Sequence, residues 1–576
     1  MDKLIKILFL AFFPFLALVN YEPALDDSLT PRYLTGSFLL LVILCLMLLK
    51  KTKFSFSKTE KLIWLGIYII LLLNWFNLKN HSYWMFIFSK INFLFAFHLV
   101  ASNLLRYYSL KFYLIKTLLI TLFLIEGKVL IQIGTLQIDS FNDVFQINGG
   151  FGHKNILSFV LIVLMILITP IWKTAVNKWL KYLFILAEAI GFSIILILQT
   201  RSVWLIIGLI FCAIFIFKRE LIISHFKLIF KCLIISGLSI SSFLFIKPDF
   251  LASTTAKLNV NNDVAYKSID ERLFLWKNSL SLIKDNWLTG VGAGNWKTDF
   301  ISYGVSGTRA GDGLINFIRP HNDFLWLFSE FGIPGVLIFV LVIVYVFKKS
   351  IKRFKTEFFL SILPLLFLVF SNFSFPVERP FVILLFILTM CFFGNEHIGI
   401  KRLHYIICPL LIVSCFVFMN RFNASVSSEN VIKAYRDNKN KKLIKHASKC
   451  IELGMNVDEQ GTAIEWYKGV AYSNLKNQNK SFESFKRAYE FAPNHVHVIN
   501  NLASSFYLKN MNKEAEVLYR RGIQLSSDFD EIFINYAAML FNEKRYQEAF
   551  QIIKKCPPNS NHPNYKIFYN AIKNKQ

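Results

Sequence analysis

The feature that most constrains this chain is a series of thirteen apolar runs that recur between Leu4 and Met419 and then stop. Each is about as long as a helix needs to cross a hydrocarbon core of roughly 30 Å. They lie near residues 4–19, 33–49, 62–78, 83–101, 110–134, 154–171, 182–199, 203–217, 228–247, 322–347, 357–375, 379–394 and 403–419. None occurs from Arg421 to Gln576. Charged residues are 18% of the chain, against about 25% in soluble domains, so a wholly soluble enzyme is excluded. The expected fold is all-α: a polytopic transmembrane bundle of about 12–13 spans, a long outer loop and a soluble tail.

A net charge of +27 on a soluble chain would suggest nucleic acid, but here the placement of the cations matters more than their sum. With the N-terminus cytoplasmic, 24 Lys and Arg fall in the short inner segments, at Lys3 to Lys6, Lys50 to Lys61, Arg106 to Lys116, Lys173 to Lys181, Lys218 to Lys231, Lys348 to Lys355, and Lys401 with Arg402. The short outer segments hold five, Arg32, Lys79, Lys154, Arg201 and Arg379. That is the bias of the positive-inside rule, and it removes the case for a nucleic-acid partner. It divides the chain into nine spans over 1–247, a large periplasmic loop over 248–320 beginning at Pro248, spans ten to thirteen over 321–419 and a periplasmic tail over 420–576. The run from Leu4 to Val19 follows Lys3 and Lys6 and reads as a retained helix; its removal as a signal peptide would leave the later orientations unchanged.

The tail stacks like residues at a 34-residue offset: Tyr435, Gly469, Ala503, Ala537; Ala447, Ser481, Ala515, Ala549; Ile451, Phe485, Tyr519, Ile553; and Gly454, Ala488, Gly522, Cys556. With Ala503-x-x-Phe506 and Pro493, this pattern resembles the tetratricopeptide repeat over about 435–570. The resemblance implies a short α-solenoid of about four repeats whose concave face takes a protein or peptide partner. Cys450 and Cys556 fall in the first and fourth repeats, too far apart to bridge, and are expected as free thiols. The other six cysteines lie in apolar spans, and no zinc or redox spacing is present.

The polar residues beside the apolar runs gather at their outer ends. Arg319-Pro320-His321-Asn322-Asp323 opens span ten, with Glu330-Phe331-Gly332-Ile333-Pro334-Gly335 following. Pro320 and Asn322 are helix-start signals that place His321 beside a positive helix terminus. Thr200-Arg201-Ser202, Glu271-Arg272-Leu273 with Trp276, Gly290-Val291-Gly292-Ala293-Gly294 and Gly149 to Asn155 share that side. In this order the motifs resemble the O-antigen ligase superfamily of lipopolysaccharide ligases, O-antigen polymerases and protein O-oligosaccharyltransferases, over about residues 60–395.

The resemblance implies transfer of a glycan from undecaprenyl diphosphate to an acceptor hydroxyl on the outer face of the inner membrane, without metal or cofactor. Ligase-type transfer to lipid A-core is the leading expectation; a protein acceptor or a growing glycan is the alternative. Guanidinium forks match diphosphate oxygens and stay ionised, so Arg201, Arg272 and Arg319 are the candidate diphosphate clamp. An imidazole is suited to removing one hydroxyl proton near neutral pH, so His321 is the candidate general base. His153, Asn155, Asn322 and Asp323 are candidates for the acceptor or donor site.

Plainer readings compete at each position. Arg201 also reads as a cation snorkelling to lipid headgroups, Arg272 as part of an interfacial amphipathic helix, and Glu330 as a brace between helices. Trp287, Trp296 and Tyr303 are candidates for stacking on sugar rings. Lys90, Glu126, Lys128 and Glu188 lie inside apolar runs, where ionisable groups usually line cavities or pair. Two further function classes are a polysaccharide transporter and a membrane scaffold. The polar residues cluster at one face with no internal repeat in the membrane part, which argues against alternating access, and thirteen spans exceed what anchoring requires.

Overall fold

A helix lies over every one of the thirteen apolar runs. The structure, a computed structural model, describes residues 1–52, 54–77, 81–106, 108–138, 143–174, 177–224, 226–247, 250, 263–313, 315–393, 398–400, 403–557, 560, 562, 563 and 565–575. Lys53, Lys79, Lys401, Arg402 and the start of the long loop at Pro248 lie outside the described residues. The principal helices of the apolar part are α1 (Asp2–Leu18), α2 (Leu29–Leu49), α3 (Lys58–Asn74), α4 (His81–Leu104), α5 (Tyr108–Thr135), α6 (Lys154–Ile168), α7 (Lys178–Leu198), α8 (Arg201–Phe217), α9 (Phe226–Ile246), α10 (Asp263–Asp285), α11 (Asp323–Arg353), α12 (Phe358–Ser371), α13 (Pro380–Phe392) and α14 (His404–Arg436). Among the described residues, six helices are long and apolar enough to cross a membrane, those of α2, α4, α6 with the turn after it, α7, α11 and α14; α8, α9, α12 and α13 are shorter apolar helices. A two-stranded antiparallel pair, β1 (Phe54–Phe56) with β2 (Ile398–Ile400), joins the segments before α3 and α14.

The core forms where aromatic side chains interlock. Phe9, Phe12 and Phe13 of α1 surround Phe97 of α4 at ring separations of 6.3, 5.6 and 6.1 Å. Arg32, one of the outer-face cations of the charge count, is buried rather than turned to headgroups. Its guanidinium donates to the Leu16 and Ala17 carbonyls at 2.9 and 3.0 Å, which are among the last-turn acceptors of α1 that lack an intrahelical donor. Within the apolar runs, Lys128 reaches Asn20 at 2.6 Å and Lys90 lies over Phe86 at 4.3 Å.

The run expected as one span at 322–347 is two helices. Gly332 has φ 60° and ψ −154° and Pro334 follows, so α11 breaks into a short outer piece and a longer one ending at Arg353. That backbone region is essentially restricted to glycine. A β-carbon on Gly332 would stand 2.5 Å from the Leu288 carbonyl oxygen, so the outer loop presses directly on the break. The loop is pinned there by backbone hydrogen bonds, Val291 N–H to Ser329 at 2.8 Å, Gly292 to Glu330 at 3.1 Å and Ile333 to Trp287 at 3.0 Å. Asn74, ending α3, donates to the Glu330 carbonyl and accepts from the Ala293 N–H at 2.8 Å. The loop has its own core of Leu275, Trp296, Phe300 and Phe317.

Helix α14 continues without interruption into the tail, followed by α15 (Asn440–Glu452), α16 (Ile464–Asn474), α17 (Gln478–Phe491), α18 (Val496–Leu508), α19 (Asn512–Leu525), α20 (Asp530–Asn542), α21 (Tyr546–Ile553) and α22 (Tyr565–Lys573). The turns inside successive pairs carry a left-handed residue at Asn438, Lys476, Asn510 and Lys544, separated by 38, 34 and 34 residues. The 34-residue period therefore holds for the last three pairs. The first is out of register by four, and Tyr435, Ala447, Ile451 and Gly454 are not the equivalents of their expected partners. The extra length falls between α15 and α16, in the segment that holds Asp458 and Glu459. In the later pairs the small-against-large pattern is visible: a β-carbon on Gly469 would meet the Phe485 ring at 2.5 Å. Cys450 and Cys556 are buried in separate helix pairs, each against a backbone carbonyl, of Ala424 and Asp530 respectively.

One surface of this tail is occupied by the outer loop of the same chain. Val305 N–H donates to the Leu525 carbonyl at 2.8 Å, Ser526 Oγ to that of Gly311 at 2.5 Å, Asn494 Nδ2 to that of Thr298 at 3.2 Å, and Asn316 meets His495 at 3.2 Å. Lys297, buried, donates to the Asp458 carbonyl at 2.9 Å, and Arg421 pairs with Glu459 at 2.5 Å.

Candidate functional site

The first two residues of the α11 turn organise a segment far along the chain. Asn322 caps α11, its Oδ1 accepting from Leu325 N–H at 3.0 Å, and its amide donates to Asn372 Oδ1 at 3.4 Å. Asp323 Oδ2, fully buried, accepts from Val377 N–H at 3.1 Å. Both side chains expected at the acceptor or donor site thus also fasten the turn between α12 and α13, residues 372–379. The turn carries Phe375, whose ring is the hub of the site. His321 stands at 5.3 Å from its centroid, His153 at 5.9 Å, and the guanidinium carbons of Arg319 and Arg379 at 4.1 and 5.1 Å. Arg319 forms an ion pair with Glu378 of the same turn.

Each candidate side chain is placed by its own local device. His321 has φ 55°, a left-handed conformation uncommon outside glycine, one residue before the cap. Pro320 is held from the other side, its carbonyl accepting from Trp276 Nε1 at 3.0 Å, which ties α10 to the Arg319–His321 segment. Arg272 lies one helical turn before Trp276 on α10. His153 caps α6, its Nδ1 accepting from Asn155 N–H at 3.1 Å, so the neutral ring carries its proton on Nε2. Asn155 enters the site through this backbone bond. Gly152, φ 72°, brings the preceding loop against Arg379, whose Nη1 would be 3.0 Å from a β-carbon there. Arg379 also donates to Ser28 Oγ at 3.3 Å. Arg201 stands exposed at the start of α8, after the left-handed Gln199 and after Thr200, whose hydroxyl meets Ser158 at 2.9 Å.

The electrostatics link these groups into one cluster. Burial first, then Arg319, Arg272, His153 and Arg309, holds the His321 imidazole down to about 3. Burial, then Arg379, Arg319, Lys154 and Arg272, brings His153 down to about 3 as well. The Arg272 guanidinium is lowered by burial and by Arg201. Two neutral imidazoles therefore stand among the guanidiniums of Arg319, Arg379, Arg272 and Arg309, with Arg201 acting on Arg272, and with Glu378 paired to Arg319 and Glu271 to Arg309. An excess of fixed positive charge with neutral bases between can hold a polyanion.

The structure thus brings together His321, His153, Arg319 and Arg272, with Arg201 beyond Arg272. The sequence reading missed Phe375, Glu378 and Arg379 as site residues; its available signal was the Glu378-Arg379 pair between Pro376 and Pro380 at an apolar helix end. The glycine-rich Gly290 to Gly294 element and Glu330-x-Gly332 form the loop-to-helix joint. Glu330 is buried, takes Trp326 Nε1 at 2.8 Å and bonds the backbone of Gly294 and Trp296. Of the three aromatics considered for sugar stacking, Trp296 is wholly buried against Phe300 at 4.5 Å, and Tyr303 donates to Asp285 at 2.5 Å; Trp287 is exposed.

Residues 186–340 match the family model described as O-antigen ligase. The matched segment carries Arg201, Arg272, Arg319 and His321, while His153 and the Phe375 turn lie outside it. No curated protein matches the chain. The match supports the O-antigen ligase superfamily, and the apolar helices and the family together indicate a multi-pass membrane protein.

Proposed function

We propose that the protein is a glycosyltransferase of the O-antigen ligase type, moving a glycan from undecaprenyl diphosphate to an acceptor hydroxyl, lipid A-core in the leading reading, on the outer face of the inner membrane. The observation that carries this is the arginine cluster around two neutral imidazoles on the Phe375 ring. Arg201 and Arg272 bind the outer phosphate oxygens, and Arg319 and Arg379 neutralise the charge that grows as the sugar–phosphate bond breaks. His321 takes the proton of the acceptor hydroxyl while its oxygen attacks the anomeric carbon; the electron pair of the broken bond leaves on the lipid diphosphate. A single displacement inverts the anomeric centre, and no metal is needed for it.

The substrate itself adjusts the base. Burial and then the surrounding cations keep His321 a weak base; two or more negative charges on a bound diphosphate offset the cations and raise its proton affinity. His153, with its proton on Nε2, is a donor toward the departing diphosphate. The Phe375 turn, held by Asn322 and Asp323, sets the spacing of both rings. Intramembrane transport fits this arrangement less well, because the cluster stands at helix ends.

The tail reads as a tetratricopeptide-type repeat domain on the periplasmic side. Its contact with residues 298–316 of the outer loop favours a role in holding that loop, and so leaves the lipid acceptor ahead of a protein acceptor. The test is a gene deletion complemented by the native chain or by His321→Ala. Loss of the long-chain lipopolysaccharide ladder with accumulation of lipid-linked polymer, unrepaired by His321→Ala, is the expected result. Loss of glycoprotein bands with an intact ladder would move the acceptor to protein, and full repair by His321→Ala would remove the catalytic assignment.

A further inference from the structure

At the end of α11 opposite His321, the helices border a second polar site that the transfer reaction does not use. It is a cavity of about 810 Å³ between the start of α3, the ends of α4, α11 and α13 and the start of α5. A volume of this size is that of a small-molecule site. Six cations line it: Arg106, Lys111, Lys348, Lys349, Lys352 and Arg353. Two carboxylates pair with cations of the lining, Glu60 at 3.7 Å from Lys349 and Glu357 at 3.2 Å from Arg353. Glu60 is largely committed elsewhere, since Tyr345 Oη donates to it at 2.9 Å and the Ser57 N–H at 2.9 Å in a capping box that starts α3.

The charge density exceeds what membrane orientation asks for. Lys348 and Lys352, and Lys349 and Arg353, are like-charged pairs at i,i+4 on the last two turns of one helix, an arrangement that costs stability unless an anion lies against it. The favourable helix terminus accounts for one or two cations there. Beside the cavity the same helix is apolar and exposed, with Val340, Leu341, Val344 and Ile351 at 45, 38, 42 and 71% exposure. Acyl chains would lie along that face while a headgroup enters the cavity at its inner end. Basic pockets between spanning helices on the cytoplasmic side suit phosphate-bearing lipid headgroups.

We propose that this cavity binds the phosphate headgroup of an anionic membrane lipid, on the face that the cation bias assigns to the cytoplasm and apart from the His321 site. The test uses the full chain in nanodiscs of phosphatidylcholine, with cardiolipin or with soluble pyrophosphate as the probe, read by native mass spectrometry and by the thermal midpoint. Two variants are compared: Lys348→Gln/Lys352→Gln in the cavity, and Lys178→Gln/Lys181→Gln on the same face outside it. The expected result is cardiolipin retained by the native chain and by the outer pair, with binding at least tenfold weaker in the cavity pair, and little effect of pyrophosphate. Lys352→Gln alone, with a smaller loss, serves if the double variant misfolds. Pyrophosphate matching cardiolipin would overturn the lipid source in favour of a soluble phosphate compound. Equal cardiolipin binding by all variants would overturn the site.

Discussion

Replacing Arg319 by Gln should move the proton affinity of His321 by an amount the geometry bounds. The Arg319 guanidinium carbon and the His321 ring lie 4.1 and 5.3 Å from one Phe375 centroid, so they are no more than about 9.4 Å apart. At an effective dielectric of about 20, two unit charges at that separation repel by about 1.8 kcal/mol, or about 1.3 pKa units. This is a floor, because Glu378 loses its Arg319 partner in the variant and then favours the imidazolium. His321 starts from about 3, so with that shift added it should titrate at about 4.3 or higher in Arg319→Gln. The assay is kcat/KM against pH with solubilised protein, a lipid-diphosphate glycan and acceptor, since kcat/KM reports the free enzyme. The native profile should stay flat on its acid side to about pH 4, and the variant should bend at least one unit higher. The acid limb of kcat should lie above that of kcat/KM in the native chain, because the bound diphosphate raises His321. A native limb near 6.5, or no upward movement in the variant, would refute the assignment of His321 and its electrostatic surroundings together.

Further expectations follow from the supports of the site. Gly332→Ala forces a φ of 60° on a residue with a β-carbon and pushes that carbon to 2.5 Å from the Leu288 carbonyl; it should cost about 2 kcal/mol or more, read as a lowered thermal midpoint and reduced abundance. Trp276→Phe removes the indole donor to the Pro320 carbonyl, about 1 kcal/mol, and should lower kcat several-fold with KM and abundance near native, separating positioning from folding. In the tail, His495 and His497 are held down to about 3 and about 4 by burial, His495 further by His497, while Asp312 opposes the shift at His497. Asn316, Thr462 and Trp466 adjoin His495, and Phe529 adjoins His497. Both folded values lie below the unfolded value of about 6.5, so their neutral burial stabilises fully above that pH and is lost progressively below it. Limited proteolysis of the loop at 298–316 should accelerate below pH 6, and His495→Gln/His497→Gln should flatten that dependence.

What the amino-acid sequence determined by itself was whatever depends on neighbours a few residues apart. The apolar runs located the helices, because length and hydropathy decide whether a segment buries its backbone in lipid. The 34-residue period located the last three helix pairs of the tail, because each unit repeats the same small-against-large contact, as Gly469 against Phe485. His321, Arg319 and Arg201 were legible as candidates because ionisable residues at the outer ends of the apolar runs are few, and Arg272 through its spacing to Trp276.

The tertiary structure decided how those candidates are used, since the Phe375 hub joins side chains from residues 153, 319, 321 and 379 that no local pattern relates. It gave Asn322 and Asp323 a second task, fastening a distant turn, and placed Trp296 in the core of the loop. It broke the expected tenth span at Gly332, where hydropathy is continuous but the loop at Leu288 leaves no room for a straight helix. It also placed the outer loop on the tail and absorbed the four extra residues of the first repeat in the segment carrying Asp458 and Glu459, which meet Lys297 and Arg421. The physical reason is the same in each case: burial and hydrogen-bond satisfaction of a polar group depend on which distant element covers it, and that is settled only when the helices pack.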